Sequence, residues 1–494
     1  MKLRSYQEEA INLVRSNFAR HRSIVLQLPT GAGKSFVAMT IIQRAISKGS
    51  RVAFVVDGVE LLEQASATAD EMGIDHGVMQ SNHWRRRPSE KLQICTIQTL
   101  RSRGKDFALA VIDECHAVFK SQLDWMKKFD GTGGYNKTFF LGLSATPFAK
   151  SMGLHWDALI KTVSTQDLID EGTLSDFTVF APTKPDLTKV GIQAGDFNKK
   201  QLSDVMTDTD LTADIVKTWH EKAHSRPTVA FCVDISHAEL VASQFRAVGV
   251  SAAAIHSKIT SEKRIELITD FKSGKITVMA NCMVLTKGFD HPAVSCLILA
   301  RPTKSLMVFY QQVGRGLRTA NNKRDCIILD HAGNHNRLGF ATDDTPDRLS
   351  LGTKAEAKKI EEDIKPAKEC SNCKLVLPRK RTSSKCPHCG HIPKKPTVET
   401  EVSIDAKGKL TALQRNALMP PKDKLRFYSE LLGYAKSKNY NTGWADHKHN
   451  ERFGHFPAKK KGVVAVKPSK ETVSYIRHLQ IKYNKGKKYG NKYK

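Results

Sequence analysis

The chain predicts an α/β protein in which two successive alternations of strand and helix are followed by a small cysteine module and a basic end. Three observations carry this. An apolar run, Ile24 to Leu28, breaks into the loop Pro29 to Ser35, and apolar residues return at helical spacing from Phe36 to Ile46. A second alternation, from Thr228 to Leu329, repeats the pattern without such a loop. Cys370-x2-Cys373 and Cys386-x2-Cys389 stand twelve residues apart, the spacing of paired metal knuckles.

Composition sets the bounds. At 494 residues the chain exceeds what one hydrophobic core serves, so two large domains and something smaller are expected. With 40% hydrophobic residues the cores can be filled, and a net charge of +28 calls for a polyanionic partner, nucleic acid first. No run of eighteen apolar residues exists, and Met-Lys-Leu-Arg-Ser-Tyr-Gln at the start carries no hydrophobic signal region. The expectation is therefore no membrane and a cytoplasmic location. Of ten cysteines, Cys95, Cys115, Cys232, Cys282, Cys296 and Cys326 lie scattered in strand-like contexts as reduced core thiols do, while the other four cluster, which suggests metal.

In the first alternation, Gly31 and Gly33 permit a tight turn whose N–H groups converge on phosphate oxygens at a helix N-terminus. Lys34 is placed to reach the β and γ phosphates and the Ser35 hydroxyl to hold Mg²⁺. Upstream, Arg4 and Gln7 sit where an amphipathic helix (Ala10, Ile11, Val14, Phe18) begins. An amide there can read an adenine edge, or simply cap the helix. Strands follow at Arg51 to Val56, Gln93 to Ile97 and Phe107 to Ile112, with a helix at Glu60 to Met72 after the first. The loop Asn82-His83-Trp84-Arg85-Arg86-Arg87 sets three cations beside an aromatic, which suits a nucleic acid backbone and a stacked base as well as it suits a solvated turn.

The strand ending at Ile112 delivers Asp113-Glu114-Cys115-His116 to the carboxyl edge of an open sheet, where ligands bind. Asp113 can hold magnesium through water, and Glu114 can orient and deprotonate an attacking water. The strand Phe139 to Leu143 ends in Ser144-Ala145-Thr146-Pro147, two hydroxyls able to bond to the acid cluster. From His155 to Pro185 the pattern weakens and reads as a connector.

The second alternation carries Thr286-Lys287-Gly288-Phe289-Asp290 and Gln311 to Arg318. Arg315 and Arg318 are three apart and on one helix would share a face, two guanidinium groups aimed at one point as a developing phosphoryl charge requires. Beyond Asp330-His331-Ala332-Gly333-Asn334, composition shifts to Asp, Lys, Glu and Ala up to Lys368. Cys370, Cys373, Cys386 and Cys389 then make a structural Zn²⁺ site with no open position, His388 and His391 being alternative ligands. Leu425 to Ala435 reads as a helix. From Glu451 onward thirteen Lys or Arg face two Glu, with Tyr475, Tyr483, Tyr489 and Tyr493 interleaved, so phosphate neutralisation and base stacking are expected there and the last dozen residues are expected to be disordered.

Leu3 to Gln7, Pro29 to Ser35, Asp113 to His116, Ser144 to Pro147, Lys287 to Asp290 and Gln311 to Arg318 stand in the order of the superfamily 2 helicase motifs, and over about residues 1–340 the chain resembles that superfamily. The Asp-Glu-Cys-His form, Val-Gly-Arg-Gly-Leu-Arg and the four cysteines look most like the RadD group of bacterial and phage DNA helicases. The resemblance implies two tandem RecA-like parallel-sheet domains, 1–160 and, with a connector, 161–345. A linker 346–368, a zinc-binding module 369–394 and a basic C-terminal region 395–494 with helical segments would follow. ATP would lie between the domains, with Arg4 and Gln7 at the adenine and Thr30, Gly31, Ala32, Gly33, Lys34 and Ser35 at the phosphates. Ser35 and Asp113 would hold Mg²⁺ and Glu114 the water. Gly288 and Asp290 would approach from the second domain, and Arg315 and Arg318 would be arginine fingers. Leu28 stands where the general phosphate-loop pattern has a glycine, an absence ordinary in that superfamily; the chain departs from the family at Cys282, where a strand-touching threonine is usual.

The function so implied is an ATP-dependent DNA helicase or translocase, stimulated by nucleic acid, in repair, recombination or replication. Its setting would be the cytoplasm of a bacterial or phage-infected cell, with repair or single-strand-binding proteins as partners. A motor that remodels DNA without unwinding, an RNA helicase and a non-enzymatic scaffold are the other readings.

Overall fold

The computed structural model describes residues 3–392 except 81, 104–106, 118–119, 130–136, 183–184, 194, 286–288, 354–355, 357–366 and 378–384. Beyond these it describes 402–404, 410–412, 421–453, 456–457, 462–469, 471–473 and 475–477. Contacts divide the chain into two units, Met1–Pro393 and Lys394–Lys494. Thr286, Lys287 and Gly288, and the tyrosines at 483, 489 and 493, lie outside the described residues, as does the tail expected to be disordered.

The first lobe opens with α1 (Ser5–Asn17), whose Tyr6, Gln7, Ala10, Ile11 and Val14 form the buried face. It continues through β1 (Ser23–Gln27), α2 (Lys34–Ser47), β2 (Val52–Val56), α3 (Val59–Glu71), β3 (His76–Met79), β4 (Leu92–Thr96), α4 (Ile97–Arg103), β5 (Leu109–Ile112), α5 (Lys120–Lys128), β6 (Phe139–Ser144) and β7 (Ala158–Lys161). The strands form one sheet in the order β3-β4-β2-β5-β6-β1-β7, every pairing parallel. Helices cover both faces, so the central strands are buried throughout and read as unbroken apolar runs. Parallel pairing places every strand's carboxyl end, and so the glycine loop, Asp113 and Ser144, on one rim.

The stretch expected as a connector carries regular elements among its described residues. It contains β7, then α6 (Thr165–Asp170), capped by Ser164, and β8 (Phe177–Phe180). Both strands are sheet edges with a half-buried start, which is why they lack the apolar signal of a central strand.

The second lobe adds the hairpin β9 (Ile192–Gln193) and β10 (Asp196–Phe197), then α7 (Lys199–Met206), α8 (Thr209–Ala223), β11 (Thr228–Phe231), α9 (Ile235–Ala247), β12 (Ala252–Ile255), α10 (Ser261–Lys272), β13 (Val278–Asn281), β14 (Cys296–Leu299), α11 (Leu306–Gly316), β15 (Cys326–Asp330) and α12 (Asn334–Leu338). Its sheet, β12-β13-β11-β14-β15-β8, is again wholly parallel. The two lobes are RecA-like α/β domains.

After α12 the chain returns to the first lobe. Lys161 Nζ donates to Thr345 O at 2.9 Å and pairs with Asp347 at 2.7 Å, and Gly153 N donates to Ser350 O at 2.9 Å. The start of the expected linker is thus a strap across both lobes. The knuckle hairpin β16 (Lys368–Glu369) and β17 (Val376–Leu377) then docks on edge strand β8, through a Phe180–Leu375 bridge and an Ala181 N to Lys374 O bond of 3.0 Å. That covers an edge that would otherwise present unpaired backbone.

In the second unit, beside the short hairpin β18 (Val402–Ile404) and β19 (Leu410–Ala412), α13 (Pro421–Ser437) packs on α14 (Thr442–Phe453) around Phe427, Tyr428, Leu431, Ala445 and Ile476. The following segment is strapped over α13: buried Glu430 accepts from Ser469 N at 3.1 Å and from Thr472 Oγ1 at 2.5 Å. Tyr475, expected to stack on bases, instead packs on Phe427 and the Arg452 guanidinium, 4.8 Å from its ring centre. Among the described residues no helix is long and apolar enough to cross a membrane.

Gly433 tests this unit. Helix propensity alone favours alanine there by up to about 1 kcal/mol, but the Val466 carbonyl occupies the place a Cβ would take. Gly433→Ala is therefore expected to destabilise by about 1–3 kcal/mol, read as faster proteolysis within 421–477 of the full chain. Unchanged or slower cleavage would contradict the strap.

Candidate active site

The glycine loop is built as its sequence requires. Gly31 and Gly33 have φ of 89° and 79°, a region that L residues with side chains enter at a cost. The site a Cβ would take at Gly33 lies 2.7 Å from Gln7 Nε2, which donates to Ala32 O at 3.0 Å. Tyr6 OH donates to the same carbonyl at 3.0 Å, and Gln7 Oε1 accepts from Arg4 N at 3.0 Å. The start of α1 thus holds the loop, and Tyr6, given no role from sequence, shares that work.

Lys34 Nζ rests 3.9 Å from Glu114 Oε1. Asp113, just beyond β5, accepts the Glu114 N–H at 3.0 Å, and Glu114 takes φ of 47°, a left-handed conformation costing about 1–2 kcal/mol. His116 Nδ1 lies 3.2 Å from Glu114 Oε2 and 2.9 Å from Ser144 Oγ, and Ser144 Oγ accepts Thr146 N at 3.0 Å. His116 Nε2 is 3.5 Å from Gln311 Nε2 on the second lobe. Sequence reasoning named this histidine without giving it a task. Its signal was its place two residues after the glutamate.

The lobes meet along α11. A Cβ on Gly314 would fall 2.6 Å from Thr30 Cβ, and the same atom on Gly31 would fall 2.8 Å from Leu174 Cδ2 and 3.7 Å from Arg318 Cγ. Arg264 on α10 pairs with Glu60 on α3 at 3.0 Å. On the strap side a cavity of about 240 Å³ is lined by Thr30, Ala145, Lys161, Tyr310 and Asp343; it reaches neither Lys34 nor Glu114.

Arg315 and Arg318 converge, but not by sharing a helix face as expected. The helix ends at Gly316, and Arg318 is held in extended pairing with Leu174. Arg315 Nη1 donates to Phe289 O at 2.6 Å; Arg318 Nη1 donates to the same oxygen at 3.3 Å and pairs with the Asp290 carboxylate. Burial pushes the Arg315 guanidinium down to about 10; the Arg318 charge adds to this, and the carboxylates of Glu114 and Asp290 oppose it. Lys323, missed from sequence, donates to the carbonyls of Gly316 and Arg318, each at 2.6 Å, and ties down the turn after the arginines. Cys282 is 5% exposed, packed in the core rather than offered to a strand.

The four thiols of Cys370, Cys373, Cys386 and Cys389 lie within 4.8 Å of one another, with Sγ–Sγ distances of 3.7 Å (Cys370–Cys389) and 3.8 Å (Cys373–Cys386). A tetrahedron of Zn–S bonds near 2.3 Å has edges of about 3.8 Å, so the donor set fits zinc. Each knuckle closes alike: Lys374 N donates to Cys370 O and Gly390 N to Cys386 O, with φ of 62° and 72° at Lys374 and Gly390. The alternative ligands are otherwise engaged, His388 against the Phe180 ring at 5.3 Å and His391 with Ser371 Oγ at 2.9 Å.

Two parallel-sheet lobes, with a glycine loop and strand-end acids on one and the arginine-bearing helix of the other packed on that loop, define a two-lobe P-loop ATPase. The comparisons agree. Residues 1–149 match the family model described as Type III restriction enzyme, res subunit, and residues 209–320 the Helicase conserved C-terminal domain. The chain is 27% identical over 438 residues to a 51.5 kDa protein of Lactococcus phage (isolate 7-9), covering 86% of this chain and 89% of that one. It is 28% identical over 366 residues to a Schizosaccharomyces pombe protein named as mitochondrial ATP-dependent helicase irc3, covering 71% of this chain and 60% of that one. Among solved structures, the ATP-dependent Type ISP restriction-modification enzyme LlaBIII bound to DNA aligns with a TM-score of 0.51 at 18% identity, over 67% of this chain and 28% of that one, a likeness of fold. The first lobe and the second thus each match a domain of ATP-dependent nucleic-acid motors, and with the helicase-named relatives they mark the chain as an ATP-dependent enzyme.

Cys386→Ser is expected to lower zinc from about one per chain to none and to lower the melting temperature, because the β16–β17 hairpin then leaves β8. Unchanged metal content and melting temperature would remove the zinc site.

Proposed function

We propose that the chain is a DNA-stimulated ATPase that moves along DNA as a helicase or translocase. The observation that carries this is that α11, which bears Arg315, packs on the glycine loop at Gly314 and Thr30 and sets Gln311 3.5 Å from His116, beside the Lys34–Glu114 pair. In this reading Arg4 and Gln7 recognise adenine, and Thr30 to Ser35 cradle the phosphates. Gly288 and Asp290 approach the nucleotide from the second lobe. Magnesium, held by Ser35 and Asp113, would neutralise charge on the phosphates.

A γ-phosphoryl group entering the cleft takes the Lys34 ammonium away from Glu114, whose freed carboxylate accepts a proton from the attacking water. Arg315 and Arg318, drawn from Phe289 and Asp290 toward the phosphoryl oxygens, stabilise the charge that develops there. His116 connects this event to Ser144 in the first lobe and to Gln311 in the second. Loss of the γ-phosphate removes the bridge between lobes, so each turnover opens and closes the cleft and shifts two strand-binding surfaces relative to one another.

DNA is favoured over RNA by the resemblance to the RadD group and by the fold neighbour LlaBIII, whose structure is bound to DNA. A bacterial or phage-infected cytoplasm fits the relative from Lactococcus phage, and a role in repair, recombination or replication follows from the resemblance to the RadD group. ATPase stimulation measured with single-stranded, duplex and forked DNA and with RNA tests the substrate class; stimulation by RNA alone would overturn the choice of DNA.

Glu114→Gln is expected to bind ATP normally while turnover falls about 10²–10⁴-fold, checked by nucleotide binding and steady-state hydrolysis. Turnover near wild type would refute the assigned base. Arg315→Ala is expected to keep ATP binding and lose about 10³-fold or more of DNA-stimulated turnover; stimulation at the wild-type level would remove its role.

A further inference from the structure

We propose that Trp84, flanked by His83 and Arg85 and bordered by Arg86 and Arg87, is a base-stacking platform for a single DNA strand at the far end of the first lobe's ligand-bearing rim. The inference rests on the reading of the chain as a nucleic-acid motor and adds a contact that no catalytic motif supplies.

Trp84 is 75% exposed, whereas Trp125, Trp156 and Trp219 are 3%, 2% and 2% exposed. An indole left in water forgoes the burial that normally justifies it, unless something else covers it. Its position is set by the sheet. The chain leaves β3 at its carboxyl end and doubles back, since Val78 N donates to Arg85 O at 2.9 Å and Gln93 Nε2 to Arg87 O at 2.8 Å. The turn bearing Trp84 therefore projects beyond the strand end, on the same rim as the glycine loop and Asp113. Five strand spacings separate β3 from β1, about 24 Å, so the platform lies well away from the nucleotide.

The turn is held in place. His83 Nε2 pairs with Glu63 at 3.0 Å, His83 Nδ1 accepts from Arg85 N at 3.0 Å, and His83 O accepts from Arg86 N at 3.2 Å. Arg85 pairs with the Asp70 carboxylate and reaches His76 Nε2 at 2.9 Å, a histidine 1% exposed. Its guanidinium also lies 4.6 Å from the Trp84 ring centre. Asp70 already satisfies that cation, and its own carboxyl is held below the usual range by it, so the exposed indole is not needed to place Arg85. What remains is an exposed indole, with the His83 ring stacked against it at 5.8 Å and the exposed cations Arg86 and Arg87 next to it. Aromatic stacking with adjacent phosphate neutralisation is how single strands are held without regard to sequence.

The test uses the full chain and a labelled single-stranded oligodeoxythymidylate, with affinity read by fluorescence anisotropy at several salt concentrations and ATPase stimulation read alongside. Trp84→Ala is expected to weaken binding about five- to hundredfold, Trp84→Phe to retain most of it, and Arg86→Ala with Arg87→Ala to flatten the salt dependence. Wild-type affinity for Trp84→Ala in a protein that the oligonucleotide still stimulates overturns the platform alone. Equal losses for Ala and Phe also overturn it, because stacking would then not be the cause. A wild-type protein whose ATPase is not stimulated by the oligonucleotide overturns the motor reading, and the platform with it.

Discussion

Everything in the first unit turns on one approach: the backbone of α11 at Gly314 against the side chain of Thr30. Any larger residue at 314 would hold the lobes apart, since close-packed interiors do not absorb an added methyl group without displacement. Because Arg315 is the next residue, the same approach that seats α11 on the glycine loop also carries that arginine to the lobe interface, where Gln311 of the same helix lies 3.5 Å from His116. Cleft geometry and catalytic geometry are thus one constraint.

Around that contact the charges are held in reserve. Lys34 leans on Glu114, and Arg315 and Arg318 lean on Phe289 O and Asp290. Each cation has a local partner that a polyphosphate can displace, so substrate binding exchanges pairings within a lobe for pairings across lobes. The strained backbone at Glu114 fits this account: a left-handed residue at a strand end turns the carboxylate toward the loop.

The central strands were legible because parallel strands covered on both faces need continuous apolar runs, as at Ile24 to Leu26 and Val52 to Val56. The edges were not. β3 carries a histidine and a glycine, β7 and β8 are half buried at their starts, and none repeats an apolar period. Of the candidate site, the glycine loop, the two acids and the cysteine knuckles were readable, since short spacings set their geometry. Contacts that depend on two distant segments meeting were not: His116 with Gln311, Lys323 with the end of α11, the strap on Lys161. Arg318 shows the limit most clearly, for its spacing from Arg315 pointed to a shared helix face, yet the helix stops at Gly316 and a bridge to Leu174 aims the side chain instead.

The account stands or falls on whether a nucleoside triphosphate joins the lobes through the arginines. Spin labels placed through unnatural amino acids at exposed Glu71 in the first lobe and Lys272 in the second report the spacing of the lobes directly. With a non-hydrolysable ATP analogue the distance distribution should narrow in the wild-type chain and fail to narrow in Arg315→Ala. A distribution indifferent to the analogue, or one that narrows equally without the arginine, would contradict it.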